Sequence, residues 1–262
     1  MIVSIADQDR WIRNLVPSPD SHTRLFCFPY AGGSASYYYW LSAALAPRVE
    51  VRAIQYPGRL DRRVEPSLQN IPDLADFACD ALRNSLGGPY AFFGHSMGAV
   101  VAYEVARRLA RKTGGGPRWL FVSGRRAPTR HRAASVHLRS DASLVRELRT
   151  LGATEPRWLD DPSARAAILP AIRSDYRAIE TYLHSAGPRL DCPITALTGD
   201  SDPDTTREEA SAWGEHSSGA FDLKVFSGGH FFIDTHRQEV ADLVLSALEQ
   251  PTNSRVLDRG VQ

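Results

Sequence analysis

The sequence predicts an α/β fold in which a mostly parallel central sheet carries helices on both faces and receives a helical insertion late in the chain. Three observations carry this expectation. From about residue 24 onward, apolar runs of strand length alternate with stretches of helical periodicity. Residues 90–109, YAFFGHSMGAVVAYEVARRL, read as strand, sharp turn and helix in direct succession. Between about 125 and 187 the alternation lapses, and some sixty residues pass with helical pattern and no convincing strand.

Composition bounds the reading. At 262 residues, 43% hydrophobic and 23% charged, the chain suits one domain. The core is expected over about 20–125 and 188–249, a lid over about 126–187, and a disordered polar tail at 251–262. Lys+Arg 31 against Asp+Glu 30 gives no global charge that argues for nucleic acid or an anionic membrane. Cys27, Cys79 and Cys192 are odd in number, far apart and in apolar or helical settings, which suits reduced thiols. The first fifteen residues carry acidic and basic side chains where an export signal needs an apolar run, so a cytoplasmic, monomeric protein is expected.

The elements follow in order. Residues 24–30 (RLFCFPY) form a strand that ends in the loop Ala31-Gly32-Gly33-Ser34, and a helix covers 37–45. A second strand, 49–56, stops at the turn dipeptide Pro57-Gly58, and Arg59, Arg62 and Arg63 are placed on an exposed loop. Between 72 and 86, Leu74, Phe77, Ala78, Ala81 and Leu82 recur at helical spacing as one buried stripe. After Gly87-Gly88-Pro89 comes the 90–109 unit, with Val100, Val101, Val105 and Leu109 marking its helix. A strand at 119–122 closes the first half, and the insertion contributes helices at 143–151 and 163–183. Leu144, Leu148, Trp158 and Ile172 could line a chamber there or simply pack. The sheet resumes at 194–198, runs through a helix at 205–213 and a strand at 223–226, and ends in a helix reaching 248. His236 is expected about two turns into that last helix.

Gly94-His95-Ser96-Met97-Gly98 is the chemically distinctive stretch. A serine on so tight a turn has its hydroxyl pushed out at the carboxyl end of a sheet, and glycines two before and two after leave room where a Cβ would collide. The bare pattern occurs by chance in many sequences, so partners must be found. A serine hydroxyl needs a base to take its proton and a carboxylate to fix that base's tautomer. In the α/β-hydrolase arrangement they follow in the order Ser, Asp or Glu, His. Of the eight histidines, His22, His131, His137, His184, His216 and His236 fall before strands, within the insertion or in a helix. Only His230 leaves the last strand on a loop freed by Gly228-Gly229, and His95 reads as a packing residue. Asp202, with Asp200 as the alternative, lies on the loop after the preceding strand. For a developing oxyanion, the N–H of Met97 and that of Ala31 are the candidate donors. The glycines near Ala31 lack a phosphate-loop pattern, and no histidine or cysteine has metal-ligand spacing, so neither nucleotide, cofactor nor metal is expected.

FPYAGG, YPGR at 56–59, GHSMGA, GDSDP and GGHFF together resemble the type II thioesterases that accompany polyketide synthases and nonribosomal peptide synthetases, from about residue 24 to 248. The resemblance implies an α/β-hydrolase fold with a helical lid, and hydrolysis of aberrant acyl groups from the phosphopantetheine arm of acyl or peptidyl carrier proteins. Such carriers are acidic, and Arg59, Arg62, Arg63, Arg125, Arg126, Arg130 and Arg132 are the candidate docking rim. A carboxylesterase or lipase on the same triad, and a non-catalytic binding protein on the same scaffold, are the competing readings.

Overall fold

The computed structural model describes residues 10–152, 154 and 156–250. The expectation of a disordered tail falls outside them. In chain order the strands are β1 (Ile12–Asn14), β2 (Thr23–Phe28), β3 (Val49–Ile54), β4 (Tyr90–His95), β5 (Leu120–Ser123), β6 (Ile194–Gly199) and β7 (Phe221–Phe226). The α-helices are α1 (Tyr39–Leu45), α2 (Ile71–Leu82), α3 (Met97–Thr113), α4 (Asp141–Leu151), α5 (Pro156–Asp160), α6 (Pro162–Glu180), α7 (Arg207–Ser211) and α8 (Arg237–Glu249).

Among the described residues the strands make one sheet in the order β1-β3-β2-β4-β5-β6-β7, parallel throughout except that β1 runs antiparallel to β3. Alternation along the strands divides the core in two. Phe26, Phe28, Phe92, Leu120, Val122, Ile194 and Ala196 face α2 and α3. Leu25, Cys27, Phe93, Phe121 and Leu197 face α1 and α8. Fully burying one such side chain contributes about 1.5–3 kcal/mol of transfer free energy.

The register aligns the carboxyl ends. Phe28 pairs with Gly94, His95 with Ser123, Ser123 with Leu197 and Gly199 with Phe226. The loops that follow β2, β4, β5, β6 and β7 therefore open on one edge, which is where ligands meet open α/β sheets.

Helices α4, α5 and α6 lie between β5 and β6 and carry a small core of their own. Leu144, Leu148 and Ile172 are buried there with Leu151, Leu159 and Leu169, whereas Trp158 is 48% exposed. That core is closed from below by Tyr30 and Phe231, both on sheet-edge loops.

Several expectations need correcting. The segment before β2 contains the edge strand β1, and Trp11 stacks on Phe77 with ring centroids 5.9 Å apart. Phe77 is 44% exposed rather than buried in the α2 stripe, and α2 ends at Leu82 because residues Arg83–Ser85 tighten into a 3-10 turn. His236 stands at the N-cap of α8, not within the helix. The three cysteines, by contrast, are free and buried as expected. No helix among the described residues is long and apolar enough to cross a membrane.

Candidate active site

Ser96 sits between the end of β4 and the start of α3 with φ 53° and ψ −119°. A non-glycine residue with positive φ is strained, and such strain persists only where the surroundings over-determine it. Here they do. The Ser96 N–H donates to the Ser123 carbonyl at 2.8 Å. A Cβ at Gly94 would strike the Gly98 carbonyl oxygen, and one at Gly98 would strike that of Phe28. The spaced glycines thus let strand β4, helix α3 and the end of β2 approach backbone to backbone.

The structure brings together Ser96, His230 and Asp202. The His230 Nε2 lies 2.9 Å from the Ser96 Oγ, and its Nδ1 lies 2.9 and 3.1 Å from the two Asp202 oxygens. An ionised carboxylate only accepts, so Nδ1 carries the proton and Nε2 is left to accept from the serine hydroxyl. His230 is 4% exposed and Asp202 9% exposed, so water competes little for these bonds. The Asp204 N–H donates to Asp202 Oδ1 at 2.8 Å and helps fix the carboxylate. A Cβ at Gly199 would collide with the Gly228 carbonyl oxygen, so the β6 and β7 loops touch only because residue 199 is glycine.

Asp200 is elsewhere. It is exposed, and its Oδ1 accepts from the Gly228 N–H at 3.0 Å and from the Ser201 hydroxyl at 2.9 Å. The Gly228 bond, then that from Ser201, holds this carboxyl below its usual range. Its place is in the wall of the loop that carries His230.

His95 is fully buried, with Nδ1 3.0 Å from the Ser123 Oγ and its ring centroid 5.3 Å from that of His230. Burial, and then His230 itself, pushes His95 well below the usual imidazole range. It stays neutral beside the base and adds no second positive charge.

The candidate oxyanion donors occupy suitable backbone. Met97 opens α3, so its N–H is one of the four at a helix start without an intrahelical partner. In the loop after β2, the Gly32 N–H goes to Asp175 Oδ2 at 2.7 Å and the Gly33 N–H to the Tyr30 carbonyl at 2.9 Å. Of these three successive N–H groups, those of Gly32 and Gly33 are committed, which leaves that of Ala31.

Asp175 escaped the sequence reading. It lies on α6 between Ile172 and Ile179, is 0% exposed, and pairs with Arg59 Nη2 at 2.9 Å. An acidic residue in step with an apolar stripe was the available signal.

The expected arginine rim does not survive as a set. Arg59 and Arg62 are 8% and 5% exposed rather than on an open loop. Arg62 binds Glu65 and the Gln55 carbonyl, because its guanidinium ties down the turn after β3. Arg126, 9% exposed, donates to the Asp204 carbonyl at 2.8 Å. Arg125 is half-buried beside it, where burial and then the like charge of Arg126 pull its guanidinium down to about 9. Arg63, Arg130 and Arg132 are exposed, the last two paired with Glu215 and Glu209. Among the described residues no cluster of His, Cys, Asp or Glu could hold a metal ion.

The model of the thioesterase domain family matches residues 23–248. The chain is similar to the probable cadicidin biosynthesis thioesterase of Streptomyces griseus, 48% identical over 239 residues, covering 91% of this chain and 66% of that protein's length. It is similar to thioesterase PikA5 of Streptomyces venezuelae, 45% identical over 237 residues, covering 90% of this chain and 84% of that one. Among solved structures it resembles the type II thioesterase BorB from the borrelidin biosynthetic cluster, with a TM-score of 0.86, 48% identity, and 92% of this chain and 98% of that one covered.

Proposed function

The chain belongs to the thioesterase domain family, and from that premise we propose that it acts as a stand-alone type II thioesterase of polyketide or nonribosomal peptide assembly, hydrolysing aberrant or stalled acyl groups from the phosphopantetheine thioester of carrier proteins. The observation that carries the proposal is the hydrogen-bonded line from Ser96 through His230 to Asp202, each link 2.9 Å, on a strained turn.

In the proposed reaction the Ser96 Oγ adds to the thioester carbonyl carbon while His230 Nε2 takes the hydroxyl proton. The carbonyl oxygen becomes an oxyanion that accepts from the N–H groups of Met97 and Ala31, bonds that strengthen as charge develops. Asp202 holds the imidazole in the required tautomer and offsets the charge of the imidazolium. Collapse breaks the carbon–sulfur bond, the pantetheine sulfur leaves with the proton from His230, and an acyl ester remains on Ser96. Water then repeats the sequence, giving up its proton to His230 and releasing the acid. No resident cofactor or metal enters any of these steps, since the substrate carries the phosphopantetheine.

The test is mass-spectrometric assay of a panel of acyl carrier proteins with wild type and Ser96→Ala. Loss of the nucleophile should slow hydrolysis by several orders of magnitude, to roughly a millionth where the residues act as a unit. Near-full hydrolysis by Ser96→Ala would sink the proposal. Including an oxygen ester in the panel separates this activity from that of a carboxylesterase, and labelling of Ser96 by a fluorophosphonate separates it from a binding protein.

A further inference from the structure

One buried ion pair joins the lid to the loop that follows β2. Asp175 on α6 accepts from the Gly32 N–H at 2.7 Å with Oδ2 and from Arg59 Nη2 at 2.9 Å with Oδ1. Arg59, on the turn after β3, uses its other terminal nitrogen to donate to the Gly33 carbonyl at 3.1 Å. One carboxylate and one guanidinium thus grip two peptide groups, on either side of residues 32 and 33. From this geometry we infer that Asp175 and Arg59 are positioning residues for the Ala31 N–H, so that the lid helix sets one of the two oxyanion donors. The inference rests on the hydrolase reading above.

The peptide geometry shows how the effect reaches Ala31. The Tyr30 carbonyl and the Ala31 N–H belong to one planar trans peptide and point in opposite directions. Because that carbonyl accepts from the Gly33 N–H at 2.9 Å, the Ala31 N–H is aimed out of the turn. The turn holds this aim only while the peptides at 31–32 and 33–34 stay in place. The clamp fixes both, through charge-assisted bonds in a site from which water is excluded. Asp175 is 0% and Arg59 8% exposed, so neither charge can find solvent if its partner is removed.

A second contact puts the same helix on the same loop. Gly32 has φ +80°, and a Cβ there would come 2.7 Å from Cγ1 of Ile172, one turn before Asp175 on α6. The helix rests directly on the glycine, and the carboxylate reaches its N–H from that seat.

The variants are Asp175→Asn, which keeps the shape and removes the charge, Arg59→Lys, which keeps the charge and loses the fork, and the double variant Asp175→Asn/Arg59→Lys. Each is assayed with a short-chain acyl N-acetylcysteamine thioester, with rates normalised to sites titrated by a fluorophosphonate. Removing an oxyanion donor outright costs about 100- to 1,000-fold in kcat, so a misdirected one should cost about 10- to 100-fold per titrated site, with KM within about threefold. The double variant should fall no further than the worse single one, as residues that act as one device do. Per-site kcat within twofold of wild type, a loss carried by KM alone, additive losses, or failure of all three variants to fold would each overturn the inference. If the wild type itself turned over no thioester, the functional reading would fail instead. The clamp would then be read from the rate of fluorophosphonate labelling, whose phosphoryl oxygen needs the same donors.

Discussion

Asp200 and Asp202 stand two residues apart after β6, yet only the second faces the imidazole. Asp202→Asn leaves the shape of the site intact but offers His230 an amide that favours the wrong tautomer, and kcat should fall about 10,000-fold. Asp200→Asn removes charge from an exposed loop acceptor and should leave kcat within about threefold, since a single exposed bond of this kind contributes little to the rate. Steady-state rates of the two variants with one acyl thioester check both outcomes, and a reversal of their order would move the acid to Asp200. The sequence left these two positions open because both suit a strand-end loop. What separates them is the close packing of Gly199 on Gly228, a relation between two loops far apart in the chain.

At the scale of elements, the parallel strands and the α3 helix were legible because their apolar runs are long and their turns carry glycine. The edge strand β1 was not. It is three residues of mixed polarity, and what makes it a strand is the pairing of Ile12 with Ile54, which no local pattern announces. The buried arginines were missed for a related reason: Arg59 and Arg62 look like surface residues until the carboxylate of Asp175 and the carbonyl of Gln55 are placed beside them. A further element-level relation ties α3 to the short α7 and the 3-10 turn after it. His216 Nδ1 lies 3.0 Å from the Tyr103 hydroxyl, with His184, Glu215, Arg107 and Arg130 around the ring. Burial, then His184, lowers His216 from 6.5 to about 4. A depressed histidine favours the folded state while neutral, so its contribution is whole above about pH 6.5 and fades as pH falls through about 4. The melting temperature should therefore drop across that window, and His216→Gln should drop less steeply from its own value at pH 7. Equal slopes in thermal melts would contradict this.

For the whole molecule, the proposed function asks how an acidic carrier protein would reach the sheet edge. With Arg59, Arg62 and Arg126 engaged internally, the exposed members left of the proposed rim are Arg63, Arg130 and Arg132, the last two held by Glu215 and Glu209. Reversing all three to Glu should raise KM for an acidic carrier about 10-fold at low salt, leave a small acyl thioester unaffected, and lose most of that difference at high salt, where exposed charges are screened. An unchanged KM for the carrier would place docking on another face. The near balance of 31 basic and 30 acidic residues gave no hint of where such a patch would lie, because net charge says nothing of its distribution.

The three thiols bear on how the molecule can be watched. Cys27, Cys79 and Cys192 are all buried, at 0%, 2% and 8% exposure, and burial raises each above the usual thiol range, so little thiolate is available to react. Maleimide dyes should pass over the native chain. A cysteine introduced at Leu138, 76% exposed just before α4, or at Leu183, 71% exposed just after α6, would then be the site that takes a dye. A single label placed there reports on the surroundings of α4 and α6 without first removing any cysteine from the core.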